Sequence, residues 1–332
     1  MFGASLAEAS VLCSEIVMSS YPILIKSVPT NLWTQMVSRF LVYSVAAFSA
    51  VVISGNSKQF SDISVGTMGG AGLLNLAHIA VSYKAFSDLS PGNAMAIFYT
   101  YPIWNIIGAW FLLGEVIPMT SMPWIMMALI GMVLVAHPEK GTTLDLEKPV
   151  GTLCALLAAL TETAIYFYFK LMKEKEGGYK GLFELYGGAG LWMLPALVLG
   201  QMGTKPGGLE IPKIDFSWKV WMPMIMFNLF VGFTGYSLRV NAIPFVSTAI
   251  FSMLSFFGVV AAYVFGYLFN GEKPSMKASI GALMITVANV VLLSKYKMYL
   301  PLLQLQTLEQ ILITKYYHMM FSWVRTYQKL FE

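Results

Sequence analysis

The sequence predicts an all-α integral membrane protein: ten transmembrane helices built as two inverted five-helix repeats, followed by a C-terminal amphipathic helix. Three observations carry that prediction. The 332 residues are 57% hydrophobic and only 11% charged, with mean hydropathy +0.67, against about 25% charged residues in soluble domains. The apolar residues fall into ten runs, each close to the roughly 20 residues that a membrane-crossing helix needs. Polar residues recur at matching positions in the two halves of the chain. The composition excludes an ordinary soluble enzyme and a disordered chain. A spread-out net charge of +4 gives no surface for following a phosphate backbone, so nucleic acid is excluded as a partner.

The runs lie at about 4–26, 31–54, 66–86, 91–113, 119–137, 149–172, 180–201, 217–238, 243–269 and 275–294. Turn residues and charges separate them: Ser27-Val28-Pro29-Thr30, Gly55-Asn56-Ser57-Lys58, Ser87-Asp88-Leu89-Ser90-Pro91 and Asn270-Gly271-Glu272-Lys273-Pro274. Continuous apolarity favours helices, since a membrane barrel alternates apolar and polar residues over segments of about ten. The first run lacks both a basic start and a small-residue cleavage pattern, so it reads as a span and not a signal peptide. An even span count puts both termini on one side, and a slight excess of Lys and Arg there makes that side cytoplasmic. Cys13 and Cys154 are too few for a disulfide framework. The tail at 296–332 places Leu305, Leu308, Leu312, Tyr316, Met319, Trp323 and Tyr327 against Glu309, Lys315, Arg325 and Lys329, a pattern suited to the membrane surface or to a partner.

The internal match is clearest in its polar members. Ser14-Glu15 falls on Thr161-Glu162 and Lys26 on Lys173 at an offset of 147 residues. Asn75-Leu76 falls on Asn228-Leu229, Tyr83 on Tyr236, Pro91 on Pro244 and Ala96-Ile97-Phe98 on Ala249-Ile250-Phe251 at 153. Gly114-Glu115 falls on Gly271-Glu272 at 157. The copies are 4–137 and 149–294. Five spans is an odd number, so the second copy enters the membrane upside down, as in carriers that alternate access to a midplane site.

Ionisable groups inside apolar spans are costly and become candidates by default. Glu15 and Glu162 are symmetry mates on the first helix of each half, suited to take up protons or to hold a cationic group, or else to packing. Arg39 reads as a structural partner of Glu15, or as a clamp for a carboxylate or phosphate. His78 is a proton shuttle or a simple hydrogen-bonding residue. Glu8 is nearer the interface. Asn75 with Tyr83, and Asn228 with Tyr236, lie two turns apart and each pair shares a helix face that lines a cavity or joins two helices. Tyr101 and Trp104, with Tyr99, add aromatic surface beside the expected cavity. Lys84 and Arg239 are placed at helix ends. The glycine-rich runs at 69–72 and 187–190 read as helix-packing surfaces.

The segment Ser90-Pro91-Gly92-Asn93-Ala94 through Tyr101-Pro102, then Leu113-Gly114-Glu115, then Gly131-Met132-Val133-Leu134, resembles the EamA type of the drug/metabolite transporter superfamily. The second half repeats it from Pro244 through Asn270-Gly271-Glu272 to Gly281-Ala282-Leu283, and Arg39-Phe40 resembles an arginine common in the second helix of that family. The second half departs in having Ser255 or Val259 where the first has Pro102. The resemblance covers 4–294 and implies a ten-helix carrier with cytoplasmic termini and a central cavity lined by helices 1, 3, 4, 6, 8 and 9. It makes a secondary transporter of a small neutral, zwitterionic or cationic, amino-acid-like metabolite the leading expectation, with proton coupling through Glu15 and Glu162. A membrane scaffold acting through its tail is one alternative. A nucleotide-sugar or phosphorylated-metabolite exchanger is another, disfavoured by the lack of basic residues in helix 9. No enzyme activity, cofactor or metal is expected, because His-Glu-x-x-His, Gly-x-Ser-Gly and cysteine metal motifs are missing. The expected partners are a small-molecule substrate and the lipid bilayer, with a homodimer left open.

Overall fold

The computed structural model describes residues 4–21, 25, 28–89, 91–115, 119–136, 148–172, 178–203, 213–270, 275–291 and 294. The tail at 296–332 lies outside the described residues. The chain divides into two compact units, Met1–Ala288 and Asn289–Glu332, and the site below belongs to the first. Among the described residues the regular elements are helical, with no strands. In chain order the helices are α1 (Ala4–Met18), α2 (Leu32–Ile53), α3 (Val65–Asp88), α4 (Pro91–Phe98), α5 (Tyr101–Leu113), α6 (Met122–Ala136), α7 (Pro149–Leu171), α8 (Gly178–Gln201), α9 (Trp218–Phe227), α10 (Thr234–Ala242), α11 (Thr248–Ser255), α12 (Phe257–Asn270) and α13 (Met276–Val291).

Helix starts follow local chemistry. The Asn31 side chain accepts from Thr34 N at 2.8 Å and opens α2. Ser64 does the same for α3 and Ser247 for α11. Pro149, which has no N–H to waste, sits in the first turn of α7. Leu32–Ile53, Val65–Asp88, Pro149–Leu171, Gly178–Gln201 and Thr248–Phe265 are long and apolar enough to cross a membrane.

Burial is inverted relative to a soluble protein. Leu41, Phe48, Trp110, Phe111, Leu153, Leu191 and Val198 point outward, while Glu15, Arg39, His78, Glu162 and Arg239 are each 6% exposed or less. An apolar exterior around a polar interior is what hydrocarbon solvent demands.

Two expected spans are broken, and the break at 91–113 has a clear cause. Pro102 would press its ring on the Phe98 carbonyl in a continuous helix, so α4 ends at Phe98 and α5 restarts at Tyr101. The expected span 243–269 breaks at Phe256, where Phe256 N and Val259 N turn to carbonyls three residues back. There the Ser255 hydroxyl bonds the Phe251 carbonyl at 2.9 Å, which loosens the local ladder. The two breaks touch: a Cβ on Gly258 would strike the Tyr99 hydroxyl.

Two other boundaries shift. Helix α1 closes at Met18 instead of reaching residue 26, with Ser19 and Ser20 bonding back to Ile16 and Val17 carbonyls. The expected span 217–238 runs on to Ala242 and contains a π-helical stretch, Asn228–Phe233. That stretch follows Pro223, whose missing N–H already weakens the ladder.

Close approaches hold the helices together. α3 crosses α8 where Gly72 meets Gly188, main chain on main chain, with no room for a Cβ on either. α6 and α13 meet the same way at Gly131 and Gly281. Without a hydrophobic drive between helices in lipid, such small-residue contacts supply the packing energy.

Candidate functional site

Helices α1, α2, α3, α4, α7 and α10 line a partly open cavity of about 50 Å³. Glu15, Arg39, His78, Glu162, Tyr236 and Arg239 supply its polar lining, and Met18, Phe86, Met95 and Phe98 its apolar wall. Arg239 is the hub of one end. Its Nη1 lies 2.9 Å from Glu162 Oε1 and its Nε 3.6 Å from Glu15 Oε1. The two carboxylates matched by the internal repeat therefore meet on one guanidinium.

The rest of that end fixes the two carboxylates. Glu15 Oε1 also accepts from the Tyr101 hydroxyl and the Ser255 hydroxyl, each at 3.1 Å. Glu162 Oε2 lies 3.2 Å from His78 Nε2, and His78 Nδ1 lies 3.0 Å from Thr161 Oγ1. The Tyr101 and Phe251 rings lie 5.0 and 5.1 Å from the Arg239 guanidinium. The local breaks position these groups: Tyr101 begins α5, and Ser255 ends α11.

The other end is a tyrosine box. Arg39 on α2 donates from Nη2 to the Tyr186 hydroxyl at 3.0 Å. Its guanidinium lies 4.4 Å from the Tyr21 ring, 5.0 Å from Tyr43, 5.7 Å from Tyr186 and 5.9 Å from Tyr83. Tyr21 donates to Asn228 Oδ1 at 2.7 Å, and Asn228 Nδ2 donates to Ser38 Oγ at 3.2 Å. Gly232, in the π stretch, leaves room for the Tyr21 and Tyr43 hydroxyls.

Several expectations need correction. Arg39 does not pair with Glu15, because Arg239 takes that place. Arg239 stands in the last turn of α10, as expected of a helix-end residue, but that turn is buried and the side chain is 5% exposed. The missed signal is that the next proline after Tyr236 is Pro244, which lets the helix run past Arg239. Tyr21, Tyr43, Tyr186 and Ser255 were also not singled out, since a tyrosine or serine in an apolar run carries no mark of its depth.

Asn75 does not line the cavity. It sits one turn from the Gly72 crossing and donates from Nδ2 to the Leu185 carbonyl of α8 at 3.3 Å. Tyr83 and Asn228 stand behind the cavity, within the box. Trp104 is 36% exposed, because the buried face of α5 carries Tyr101, Asn105 and Ala109 and a one-residue step turns away from it. Glu184 is held by Lys180 at 3.8 Å and by Tyr168, away from the cavity. Glu8 is half-buried on α1 and is not part of the cavity lining. Glu115 accepts from Thr248 N and Oγ1 at 3.2 and 3.1 Å. The left-handed Gly114 turns the chain so that this carboxylate caps the start of α11.

Residues 5–136 match the model of the EamA-like transporter family. The match lies within the first half of the chain. That family falls within the drug/metabolite transporter superfamily, whose members are generally non-enzymatic, multi-pass membrane transporters of small molecules. No curated protein matches the chain. A crystal structure of a protein superposes with TM-score 0.67 at 15% identity, covering 86% of this chain and 96% of that one. At that identity the likeness is one of fold.

Proposed function

We propose that the chain is a secondary transporter of a small metabolite, working by alternating access between two inverted five-helix halves, 4–137 and 149–294. Both EamA-like halves contribute one acidic residue, and the meeting of Glu15 and Glu162 on Arg239 at the partly open cavity carries the reading. Pseudo-symmetry explains why the two carboxylates face each other. Inverted halves exchange open and closed forms, so a group held at their meeting point is offered to each side in turn.

Coupling to protons follows from the charge count. Two carboxylates share one guanidinium, so one negative charge is left for a proton or for a cationic substrate group. Besides those three groups, the charged and titratable neighbours are His78 beside Glu162, Arg39 across the cavity, and the Tyr99, Tyr101 and Tyr236 hydroxyls. Glu15→Gln and Glu162→Gln each keep the shape and remove the charge. In proteoliposomes carrying a solute panel, wild-type uptake is expected to rise with an imposed pH gradient, and each variant to lose that response. Uptake that stays equally gradient-driven in both variants rules this coupling out.

A phosphorylated-metabolite exchanger is the second reading. It is favoured by two buried arginines at the cavity, although the 243–269 span still carries no basic residue. It is opposed by the two carboxylates that share the same space.

A further inference from the structure

We infer that the cavity has a second mouth, shut in this structure between α5 and α11, with Asn105 and Ser252 as its lining and Glu115 as its bolt. The inference rests on the transport reading above and names the part that has to move. α5 and α11 pack side by side in opposite directions and are held at both ends. At one end the Tyr101 and Ser255 hydroxyls both donate to Glu15 Oε1 at 3.1 Å. At the other end Glu115 accepts from Thr248 N and Oγ1 at 3.2 and 3.1 Å. Asn105 is one turn along α5 from Tyr101, about 6 Å of rise, and Ser252 is about 4.5 Å back along α11 from Ser255. Tyr101 and Asn105 share a face of α5, and Thr248, Ser252 and Ser255 share a face of α11. Asn105 and Ser252 therefore stand level with each other, between the central carboxylates and the membrane surface.

Both side chains are fully buried, yet Asn105 Nδ2, Asn105 Oδ1 and Ser252 Oγ have no hydrogen-bond partner among the described residues. A seam that never opened would be better built from apolar residues, because a buried amide without partners is costly. Parting the helices lets water satisfy these groups and offsets the bonds lost at Glu115. The repeat supports the same reading. Its offset of 153 carries Asn105 onto Gly258 and Ser252 onto Tyr99, and a Cβ on Gly258 would strike the Tyr99 hydroxyl. The chain thus has two equivalent seams, α4 with α12 and α5 with α11. The cavity lies on the α4 side, walled there by Met95, Phe98 and Tyr99, while Asn105, Ser252 and Glu115 are outside its lining. The bolt itself joins the two halves. Thr248 Oγ1 also accepts from the Tyr166 hydroxyl at 2.9 Å, and Lys170 Nζ donates to the Val246 carbonyl at 2.6 Å. Tyr166 and Lys170 belong to α7, in the same half as α11. Glu115 comes from the other half, so opening here breaks its two bonds and leaves those of α7 in place.

The test uses the full-length protein in proteoliposomes, with Cys13 and Cys154 replaced and a charged methanethiosulfonate reagent added to one face at a time. Asn105→Cys and Ser252→Cys each supply a single thiol. Each is expected to react from the face that carries the α2–α3 connection, slowly while Glu115 is present and roughly tenfold faster with Glu115→Ala. Thr248→Val spares the main-chain bond and is expected to speed the reaction less; it carries the test if Glu115→Ala does not fold. Leu112→Cys, on the exposed apolar face of α5, is expected to keep one rate in every background. Asn105→Leu removes the unpartnered amide, and is expected to slow labelling of Ser252→Cys roughly threefold without lowering the thermal unfolding temperature. A merely structural Asn105 would lower that temperature and leave the labelling alone. Thiols at 105 and 252 that react equally with and without Glu115, or that stay silent from that face in every background, overturn the second mouth. If a solute panel is taken up while those thiols stay silent, the mouth falls and the transport reading stands. If the thiols follow Glu115 while no solute moves, the mouth stands and the transport reading falls.

Discussion

Arg239 shows how much a single side chain decides in a low-dielectric interior. Replacing it with Gln leaves Glu15 and Glu162 buried without their shared cation. Breaking a buried ion pair from one side costs about 3–5 kcal/mol, so Arg239→Gln is expected to lower the thermal unfolding temperature sharply. Adding Glu162→Gln to it removes one stranded charge and is expected to recover part of the loss; a double variant no more stable than Arg239→Gln alone would sever the coupling. Among the described residues the Tyr186 hydroxyl is the one hydrogen-bond partner of Arg39, and Tyr186→Phe is expected to cost about 1–3 kcal/mol by the same readout. At this scale the sequence picked out Glu15, Glu162, Arg39 and His78 because charge inside an apolar run is conspicuous. It set Arg39 against Glu15 and so misassigned their partners. Partnership depends on which helices face each other, and no local pattern encodes that.

The helices make their closest contacts through glycine. A Cβ at Gly72 or Gly188 lands in the main chain of the other helix, which cannot swing aside as a side chain can. Gly188→Ala is expected to destabilise by more than the roughly 1–3 kcal/mol of ordinary overpacking, read as loss of folded, monodisperse protein. Gly258→Ala strikes the Tyr99 hydroxyl and ring first, so its penalty is expected to shrink when Tyr99 is also replaced by Ala. An undiminished penalty would show that the two helix breaks do not bear on each other. The glycine runs were legible as packing surfaces, and the α4–α5 break follows from Pro102. The break at Phe256 and the π stretch after Pro223 were not legible, because each rests on a carbonyl or serine bonding choice that tertiary contacts settle.

For the whole molecule, composition determines more than any motif. An exterior of Leu, Phe and Trp around buried Glu, Arg and His is stable only where the surrounding solvent is itself apolar. The inverted repeat proposed above makes a geometric prediction that does not depend on substrate. Ser57 lies between α2 and α3 and Ser217 just before α9, both exposed. On a background with Cys13 and Cys154 replaced, a cysteine at 57 is expected to react with an impermeant thiol reagent from the cytoplasmic side. A cysteine at 217 is expected to react from the opposite side. Reaction from one common side would break the five-plus-five arrangement.

The sequence by itself determined the solvent, the helical class and the short set of buried ionisable residues, because hydrocarbon penalises every charge and every open backbone group wherever it falls in the chain. The tertiary structure decided what those residues do to one another. It buried the helix-end Arg239, gave it both carboxylates, and left Arg39 among tyrosines without one. The reason is physical: the cost of a buried charge is local and readable, but its compensation comes from residues scores of positions away, brought near by helix crossings only the folded chain contains.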